Sequence, residues 1–461
     1  MKIFQQPQGS KARIRAVSKN FFLHFHSPKI HAYTLQPFFS YGLGVINLAL
    51  FLILLTTGIL LMFYYKPHEE AAYYSILDIN NIVLGGRYLR NMHRWAAHGL
   101  VFVALLHMTR TFFTAAYRGG QRMTWHLGVG LLLVTLFASF SGYLLPWDQL
   151  GFWAVTIASN ILGSTREITD LLHITSFFDP GLILKKLLLG GTDVTQESLT
   201  RFYTLHIVFL PLCLVLLMGL HFWRIRKNGG LNLPDKADEY VISGHTTDPG
   251  HNNSSHDQRL FSWPVALWAE LGVIFTTLAL ITVFALLIDA PLREIANAAL
   301  PENPAKAPWF FLGVQELVSY SAFAGGILVP LFVIIFLFAI PYLDPQKELT
   351  GIWFSGKSGL KIALVSLLFA LATDTILMLI VYFFGWIRDW IPSVPYWLLF
   401  LLNPGIMAGA LFVLYAFLSL KKTRSRRLAL IALYSCLLLS YAYFTFIGIW
   451  ARGYDWQFIL F

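Results

Sequence analysis

The sequence contains little charge for its length. Only 13% of its 461 residues are Asp, Glu, Lys or Arg, whereas a soluble globular chain carries about 25%. Hydrophobic residues make up 56% instead, and uncharged apolar runs recur that reach the roughly 20 residues needed to cross a bilayer. The composition therefore excludes an ordinary soluble domain and predicts an all-α integral membrane protein.

Cysteine is nearly absent as well. The two cysteines, Cys213 and Cys436, both lie within apolar runs. They offer neither a disulfide framework nor the spacing of a cysteine-based metal site. The first thirty residues also lack the early apolar core of a cleavable signal peptide, so we expect the first span to act as the targeting signal.

The formal net charge of +10 does not indicate a nucleic-acid partner, because the basic residues lie between apolar runs, where they set helix orientation. Basic residues dominate the segment before the first span and every second loop after it. This alternation agrees with nine spans, an N-terminus in the cytoplasm and a C-terminus outside. The predicted spans are 41–64, 92–114, 125–146, 202–223, 264–288, 324–343, 361–386, 396–419 and 428–450.

Four histidines lie inside two of these spans. His93 and His107 are fourteen residues apart in the second span, and His206 and His221 are fifteen apart in the fourth. Both spacings are close to four helical turns, which keeps each pair near one face. Because spans two and four run in the same direction, we expect His93 and His206 at the outer level, and His107 and His221 at the inner level.

Facing imidazoles at two levels of an apolar bundle suit the axial positions of two b-type haem irons. Ordinary intramembrane histidines, bonded to backbone or water, are the simpler alternative, but they explain two matched pairs poorly. We therefore predict a dihaem four-helix bundle with about five further spans. Candidates for haem contact, with helix packing as the alternative, are Gly44, Gly58, Gly99, Gly128 and Gly142. Candidates for pairing with haem propionates, or for interfacial anchoring, are Arg90 and Arg94.

Three segments resemble cytochrome b of cytochrome bc complexes. They read RNMHRWAAHGLVFVALLHMTR, SGYLLPWDQLGFWAV and LTRFYTLHIVFLPLCLVLLMGLHFWRIRKNG. The fifteen-residue step from His206 to His221 is similar to that of the chloroplast and cyanobacterial branch. The resemblance implies an N-terminal dihaem domain (1–235), a polar linker (236–262), a C-terminal cytochrome b domain with a quinol-site loop (263–390), and two extra spans with a tail (391–461).

The resemblance also implies a quinol:cytochrome c oxidoreductase complex in a bacterial cytoplasmic membrane. Quinol is expected to be oxidised at an outer pocket, with one electron passing to a Rieske iron–sulfur partner and the other to the outer and then the inner haem. Quinone reduction near the cytoplasm, proton release outside, a c-type cytochrome subunit and a homodimer are expected too. Implied residues of the outer pocket are Gly142, Tyr143, Pro146, Trp147, Trp309 and Phe310, and Arg226 is the candidate for the inner quinone site.

The sequence departs from the family at the loop after the fifth span. The family has Pro-Glu-Trp-Tyr there, with a glutamate thought to receive a quinol proton, whereas this chain has Ala-Pro-Trp-Phe at 307–310. Glu316, Glu302 or Glu294 is available to replace it. We favour Glu316, because an acid beside the sixth span is costly to keep without a function. A structural hydrogen bond or salt bridge is the alternative for Glu316.

A second departure concerns an additional covalent haem. Chloroplast-type relatives attach it through a cysteine near the start of the first span, and the aligned residue here is Gly42. We therefore predict no covalent haem in this chain.

Two other classes of protein stay open at this point. A dihaem membrane anchor of a formate dehydrogenase or hydrogenase also uses bundle histidines, but the PWDQ motif and nine spans are not expected there. A transporter or channel without a cofactor would leave the four histidines unexplained, and no pair of broken helices suggests inverted repeats.

Overall fold

A computed structural model describes residues 27–234, 259–344 and 350–459, together with the isolated positions 9, 11, 12, 14, 15 and 237. Within these residues nine helices are long and apolar enough to cross a membrane, which confirms the predicted helical membrane fold. The predicted linker 236–262 lies outside the described residues, apart from 237 and 259–262. We number the spanning helices α1 (Leu43–Met62), α2 (Gly86–Phe113), α3 (Gly119–Leu144), α4 (Gln196–Lys227), α5 (Ser262–Leu287), α6 (Ala324–Leu343), α7 (Lys357–Trp390), α8 (Pro404–Thr423) and α9 (Arg426–Ala451).

The eighth predicted span is interrupted in the structure. Its apolar run is broken at Asn403, so that a separate short helix, Tyr396–Leu402, precedes α8. Pro404 has no amide N–H and occupies the first position of α8, where none is needed. The Asn403 side chain accepts a hydrogen bond from the Gly405 amide at 3.0 Å. Hydropathy alone hides such a break, because it does not report backbone hydrogen bonding.

Short elements fill the loops between the spans. A two-stranded antiparallel sheet pairs β1 (Lys29–His31) with β2 (Arg259–Phe261) and joins the segments that precede α1 and α5. Two apolar helices, Gln149–Gly163 and Trp309–Val318, follow α3 and α5. The remaining short α-helices are Pro37–Ser40, Ala72–Asn81, Arg166–Leu171 and Pro180–Leu189.

The first four spanning helices form the bundle that carries the histidines. α1 packs along α2, and α3 packs along α4, while α5 covers α1 and α2. α4 is not a uniform α-helix, because a π turn at Leu205–Phe209 separates Gln196–Thr204 from Leu210–Lys227. Such wide turns carry one extra residue and are frequent at functional sites. This one contains His206.

The C-terminal helices are joined to the bundle by a buried ion cluster. Arg118 pairs with Asp344 at 2.7 Å, and Arg427 lies 3.9 Å from the same carboxylate. The Tyr117 hydroxyl donates to Asp344 at 2.5 Å. These groups come from the α2–α3 loop, the end of α6 and the start of α9. The two halves of the chain and the last span therefore pack as one unit at this end.

Candidate functional site

The outer histidines face each other across the bundle. The ring centroids of His93 and His206 are 6.2 Å apart, and the ring planes are inclined at 68°. A metal ion bound at about 2 Å by each of two facing imidazole nitrogens requires a centroid separation of roughly 6 Å. The spacing of the pair would therefore allow both rings to bind one metal ion.

Hydrogen bonds fix the tautomer of both outer histidines. Thr57 donates its hydroxyl proton to the Ile53 carbonyl at 2.7 Å, so its oxygen accepts from Nδ1 of His93 at 2.9 Å. Nδ1 of His206 lies 3.1 Å from the Ala138 carbonyl, which is also an acceptor. Both Nδ1 atoms must then carry the proton. The Nε2 lone pairs are left for a metal ion, as is usual among metal-binding histidines.

The inner histidines line a second cavity of about 170 Å³. His107 and His221 both contribute to its wall, so the structure brings together the inner pair as well. Within the described part of the chain, the buried Nδ1 of His107 has no hydrogen-bond partner. A buried polar atom without a partner is rare, and a histidine inside the membrane normally serves a function. The inner pair therefore also fits a bound group.

Each of the four rings lies against a glycine of α1 or α3. A Cβ atom built on each of these glycines would stand near the Cε1 atom of the ring. At Gly142 and Gly58 it would be too close unless the ring moved, and at Gly44 and Gly128 it would be at ordinary contact distance. The pairs are Gly44 with His107 (3.7 Å), Gly58 with His93 (3.2 Å), Gly128 with His221 (3.6 Å) and Gly142 with His206 (2.6 Å). Gly99 instead faces Leu50 and Ile281, so it packs α2 against α1 and α5 and does not reach the histidines.

Both predicted arginines reach the outer cavity, which measures about 250 Å³. Arg90 donates to the carbonyls of Ala290 at 2.9 Å and Pro291 at 2.6 Å, so it holds the loop after α5. Arg94 lies over the Tyr143 ring, 4.8 Å from its centroid. Its buried Nε has no partner among the residues that the structure describes. Arg94 is therefore the better placed of the two for an anionic propionate.

The PWDQ segment joins the loop after α3 to the loop after α5. Asp148 accepts from the Gly151 amide at 2.9 Å, as a helix N-cap does, and from the Arg293 amide at 3.0 Å. The Trp147 carbonyl accepts from the Ala296 amide at 3.0 Å. Sequence reasoning gave Asp148 no role, although an acid directly before a helix is a recognisable capping signal. The segment thus fixes the shape of the outer surface.

The predicted residues of the α3 loop take two different places. Tyr143 and Pro146 line the outer histidine cavity. Trp147 is buried and packs edge-on against Phe152, with ring centroids 5.8 Å apart. Trp147 therefore packs against the helix that follows the loop and is not among the residues that line that cavity.

The two aromatic residues predicted after α5 begin the Trp309–Val318 helix. The Trp309 indole N–H donates to Nδ1 of His98 at 2.9 Å, which links this helix to α2. The Phe310 carbonyl accepts from the Tyr441 hydroxyl at 3.1 Å, which links it to α9. Neither His98 nor Tyr441 was singled out from the sequence, because both are remote in the chain from the loop that they hold.

A third cavity, of about 930 Å³, lies between α3, the Gln149–Gly163 helix and the Trp309–Val318 helix. Its volume falls within the range of roughly 300–1,000 Å³ that is usual for small-molecule sites, and its walls are mostly apolar, as such sites generally are. Pro308, at the position of the family's glutamate, is part of the wall. Residues of the wall include Phe137, Phe140, Ile161, Pro308, Phe311 and Gln315.

Glu316 does not reach this cavity. Its carboxylate is fully buried and receives Arg452 at 2.5 and 3.0 Å, the Tyr320 hydroxyl at 2.9 Å and the Trp456 indole at 3.0 Å. Four donors therefore occupy its two oxygens. For Glu316 this geometry favours the structural salt bridge, which was the alternative, over the hypothesis of a quinol proton acceptor.

The other two acids lie in the loop after α5. Glu302 is partly buried, with Arg293 at 3.7 Å, and burial raises the pKa of its carboxyl group. Glu294 is exposed, and its backbone carbonyl accepts from the Gln149 amide. Of the two, Glu302 has the environment that suits a proton acceptor, because burial brings its pKa closer to neutrality.

The inner cavity has an arginine, Arg110, in its wall. Arg110 is buried and donates twice to the Phe39 carbonyl, at 3.0 and 2.7 Å. Arg226 lies in the last turn of α4, next to Ile225 of the cavity wall, and its place at the inner quinone site stays a prediction. The signal that was missed is a basic residue one turn after His107, where burial in the membrane is costly.

The N-terminal half of the chain is similar to proteins of one known family. The family described as "Cytochrome b(N-terminal)/b6/petB" matches residues 98–295. Cytochrome b6 of Mastigocladus laminosus is 39% identical over 189 residues, which are 41% of this chain and 82% of that protein. Cytochrome b6 of Heliobacterium mobile is 36% identical over 200 residues, which are 43% of this chain and 87% of that protein.

A solved structure extends the likeness to the C-terminal half. A chain of the structure titled "Hyperthermophilic respiratory Complex III" superposes with a TM-score of 0.63 and 22% identity. The match covers 95% of this chain and 96% of that one. At this identity the match shows a shared fold, and its coverage reaches well beyond the N-terminal half.

Proposed function

Since this chain belongs to the cytochrome b/b6 family, the cytochrome b subunits of bc-type complexes, we propose that it carries electrons across the membrane between an outer quinol-oxidation site and an inner quinone-reduction site. The observation that carries this proposal is the outer histidine pair. Its centroid separation of 6.2 Å and its fixed tautomers suit two imidazoles that would bind one metal ion between them. An inner pair repeats the arrangement fourteen to fifteen residues further along the same helices.

Two non-covalent b haems are held, in this proposal, by His93 with His206 and by His107 with His221. When bound, they supply a one-electron redox centre at each level of the bundle. Thr57 and the Ala138 carbonyl orient the outer histidine rings. The glycines of α1 and α3 leave room for the rings that lie against them. Arg94 supplies positive charge at the outer cavity. Each of these roles is a property of residues on α1 to α4.

The 930 Å³ cavity is the proposed outer quinol site. Its aromatic and aliphatic walls suit a quinone ring and the start of an isoprenoid tail, which bind through apolar contact. Pro308 stands where the family has a proton-accepting glutamate, so the proton must leave by another group. We assign that role to Glu302, a partly buried acid six residues before Pro308 in the loop that leads to the cavity wall, with Arg293 at 3.7 Å; burial also raises the pKa of its carboxyl group. A proton released there would leave on the outer side.

The partners and the orientation follow from the same proposal. We place the chain in a bacterial cytoplasmic membrane with its N-terminus inside and its C-terminus outside, as the distribution of basic residues indicates. A Rieske iron–sulfur protein and a c-type cytochrome subunit accept electrons at the outer face, and the complex is a homodimer.

Quinol-driven haem reduction tests this function. The purified complex is mixed with a benzoquinol and, separately, a naphthoquinol, and the b-haem absorbance is followed by stopped flow. We expect steady-state quinol oxidation that stops when the iron–sulfur subunit is stripped away, because one of the two electrons then has no acceptor. Oxidation that continues without that subunit would favour the dihaem anchor, and no haem reduction by either quinol would contradict the proposal.

A further inference from the structure

The Trp309–Val318 helix has two faces with different neighbours. Pro308, Phe311 and Gln315 follow each other at three- and four-residue steps and line the 930 Å³ cavity. Residues at such steps lie on one face of a helix. Gly313 and Glu316 lie on another face, turned away from the cavity. Whatever holds that second face sets the position of the cavity wall.

α9 holds the second face through close backbone contact. A Cβ atom on Gly313 would lie 2.9 Å from the Thr445 hydroxyl and 3.1 Å from the Tyr441 carbonyl. A Cβ atom on Gly448 would lie 3.1 Å from the Leu312 carbonyl. Each helix therefore contributes a glycine to the contact. Small residues at such positions allow membrane helices to approach each other closely.

The tail after α9 adds the buried ion pair. Arg452 binds both oxygens of Glu316, at 2.5 and 3.0 Å, and its side chain is only 7% exposed. Trp456, four residues further, donates to the same carboxylate at 3.0 Å. A two-pronged arginine–carboxylate pair fixes orientation as well as distance. The tail is thereby locked to the helix that forms the cavity wall.

The loop that leads into this helix is held by the same part of the chain. Lys306, two residues before Pro308, donates to the Ile449 carbonyl at 2.8 Å. The Asp455 amide donates to the Asn303 side chain at 2.7 Å. Contacts from α9 and its tail therefore begin before the helix and continue along it to Glu316.

We propose that the end of α9 and the tail after it, residues 441–458, position the wall of the quinol cavity, and that Arg452 is a positioning residue for quinol oxidation. This inference rests on the proposed function of that cavity. Arg452 touches no wall residue directly and acts through Glu316. α9, which lies outside the residues 98–295 that the family model matches, is then part of the substrate site.

Two substitutions test the proposal in different ways. Arg452→Gln breaks the ion pair, and its control is Arg426→Gln, an exposed arginine at the other end of the same helix. Gly313→Ala pushes the two helices apart and leaves the charges in place. Its control is Gly409→Ala on α8, where a Cβ atom meets nothing within 4 Å. If Arg452→Gln does not fold, Gly313→Ala still tests the claim.

Hydrogen exchange and quinol kinetics are measured on the intact complex. We expect faster amide exchange over 305–318 in both test variants and in neither control. We also expect quinol kcat/KM to fall by up to about 100-fold, as for a displacement of about 1 Å, mainly through KM, with haem spectra unchanged. Arg452→Lys, which keeps the charge and loses the two-pronged contact, should give an intermediate KM.

The outcomes separate this proposal from the function on which it rests. Unchanged exchange in both test variants overturns the positioning role, whatever the wild-type complex does with quinol. Faster exchange with an unchanged KM shows that the tail holds the helix for stability alone, which also overturns the proposal. Failure of the wild-type complex to oxidise quinol refutes the proposed function, and the substrate role of Arg452 falls with it.

Discussion

Gly142 has less room for a side chain than any other glycine that faces a histidine. A Cβ atom there would lie 2.6 Å from Cε1 of His206, whereas Gly130 on the same helix has only Leu217 at 3.8 Å. Gly142→Ala must therefore displace the His206 ring. We expect this variant to retain one b haem per chain, measured by pyridine haemochrome, while Gly130→Ala retains two. Two haems in Gly142→Ala would contradict the assignment of His206.

Thr57 orients the ring of His93, which faces His206. Thr57→Val keeps the shape of the side chain and removes the acceptor at 2.9 Å from Nδ1 of His93. Loss of such an outer hydrogen bond typically lowers affinity for the bound group by about 10–100-fold. We expect faster loss of the outer haem to apomyoglobin, with Thr276→Val as the control, because Thr276 bonds only to the Gly272 carbonyl of its own helix. Equal rates of haem loss would refute the role of Thr57.

The sequence allowed the four histidines to be paired because helical spacing and helix direction decide which level each one occupies. The roles of Glu316 and Arg90 were not predictable in the same way. Their partners, Arg452 and the Ala290 carbonyl, lie 136 and 200 positions away along the chain. Nothing local to a buried charge tells whether it is paired or catalytic, and only tertiary contacts decide between the two.

The π turn in α4 accounts for the unequal histidine spacings. Fourteen residues separate His93 from His107 in the regular helix α2, and fifteen separate His206 from His221. The wide turn at Leu205–Phe209 absorbs about one residue, so both intervals rotate the second histidine by nearly the same angle. Periodicity alone could not show this, because a π turn has no reliable sequence signal beyond the unexpected spacing itself.

Single-residue deletions test that explanation. Deletion of Val208, an exposed residue inside the π turn, should convert the turn to an α turn and leave His221 in register. Deletion of Val103, between His93 and His107, has no wide turn to remove and should rotate His107 by about 100°. We expect two b haems per chain in the first variant and fewer in the second. The account is wrong if the Val208 deletion loses haem to the same extent.

We expect the stability of the whole molecule to depend on the ion cluster that joins its two halves. Asp344 is the shared counter-charge of Arg118 and Arg427, and all three side chains are buried. Asp344→Asn leaves two buried arginines without that charge, and breaking a buried pair typically costs about 3–5 kcal/mol of unfolding free energy. Denaturation in detergent should show that loss, with exposed Asp78→Asn as the control. Equal stability of the two variants would show that the halves do not depend on this cluster.

The number and order of the spanning helices were predictable from hydropathy and loop charge, since each is a property of about 20 consecutive residues. The packing of α9 against the Trp309–Val318 helix was not predictable, because it depends on glycine-sized gaps and on one ion pair between distant segments. The same distinction applies to the sites: the histidine levels follow from local geometry, and the walls of the large cavity follow from the assembled fold.

The central claim is that four histidines hold two b haems in one chain. It is tested most directly by a pyridine haemochrome assay of the purified protein, combined with a stepwise redox titration. We predict two non-covalent b haems per chain that titrate as two components, with one component lost in His206→Ala and the other lost in His221→Ala. A preparation with full helical content and no b haem would contradict the account at its base.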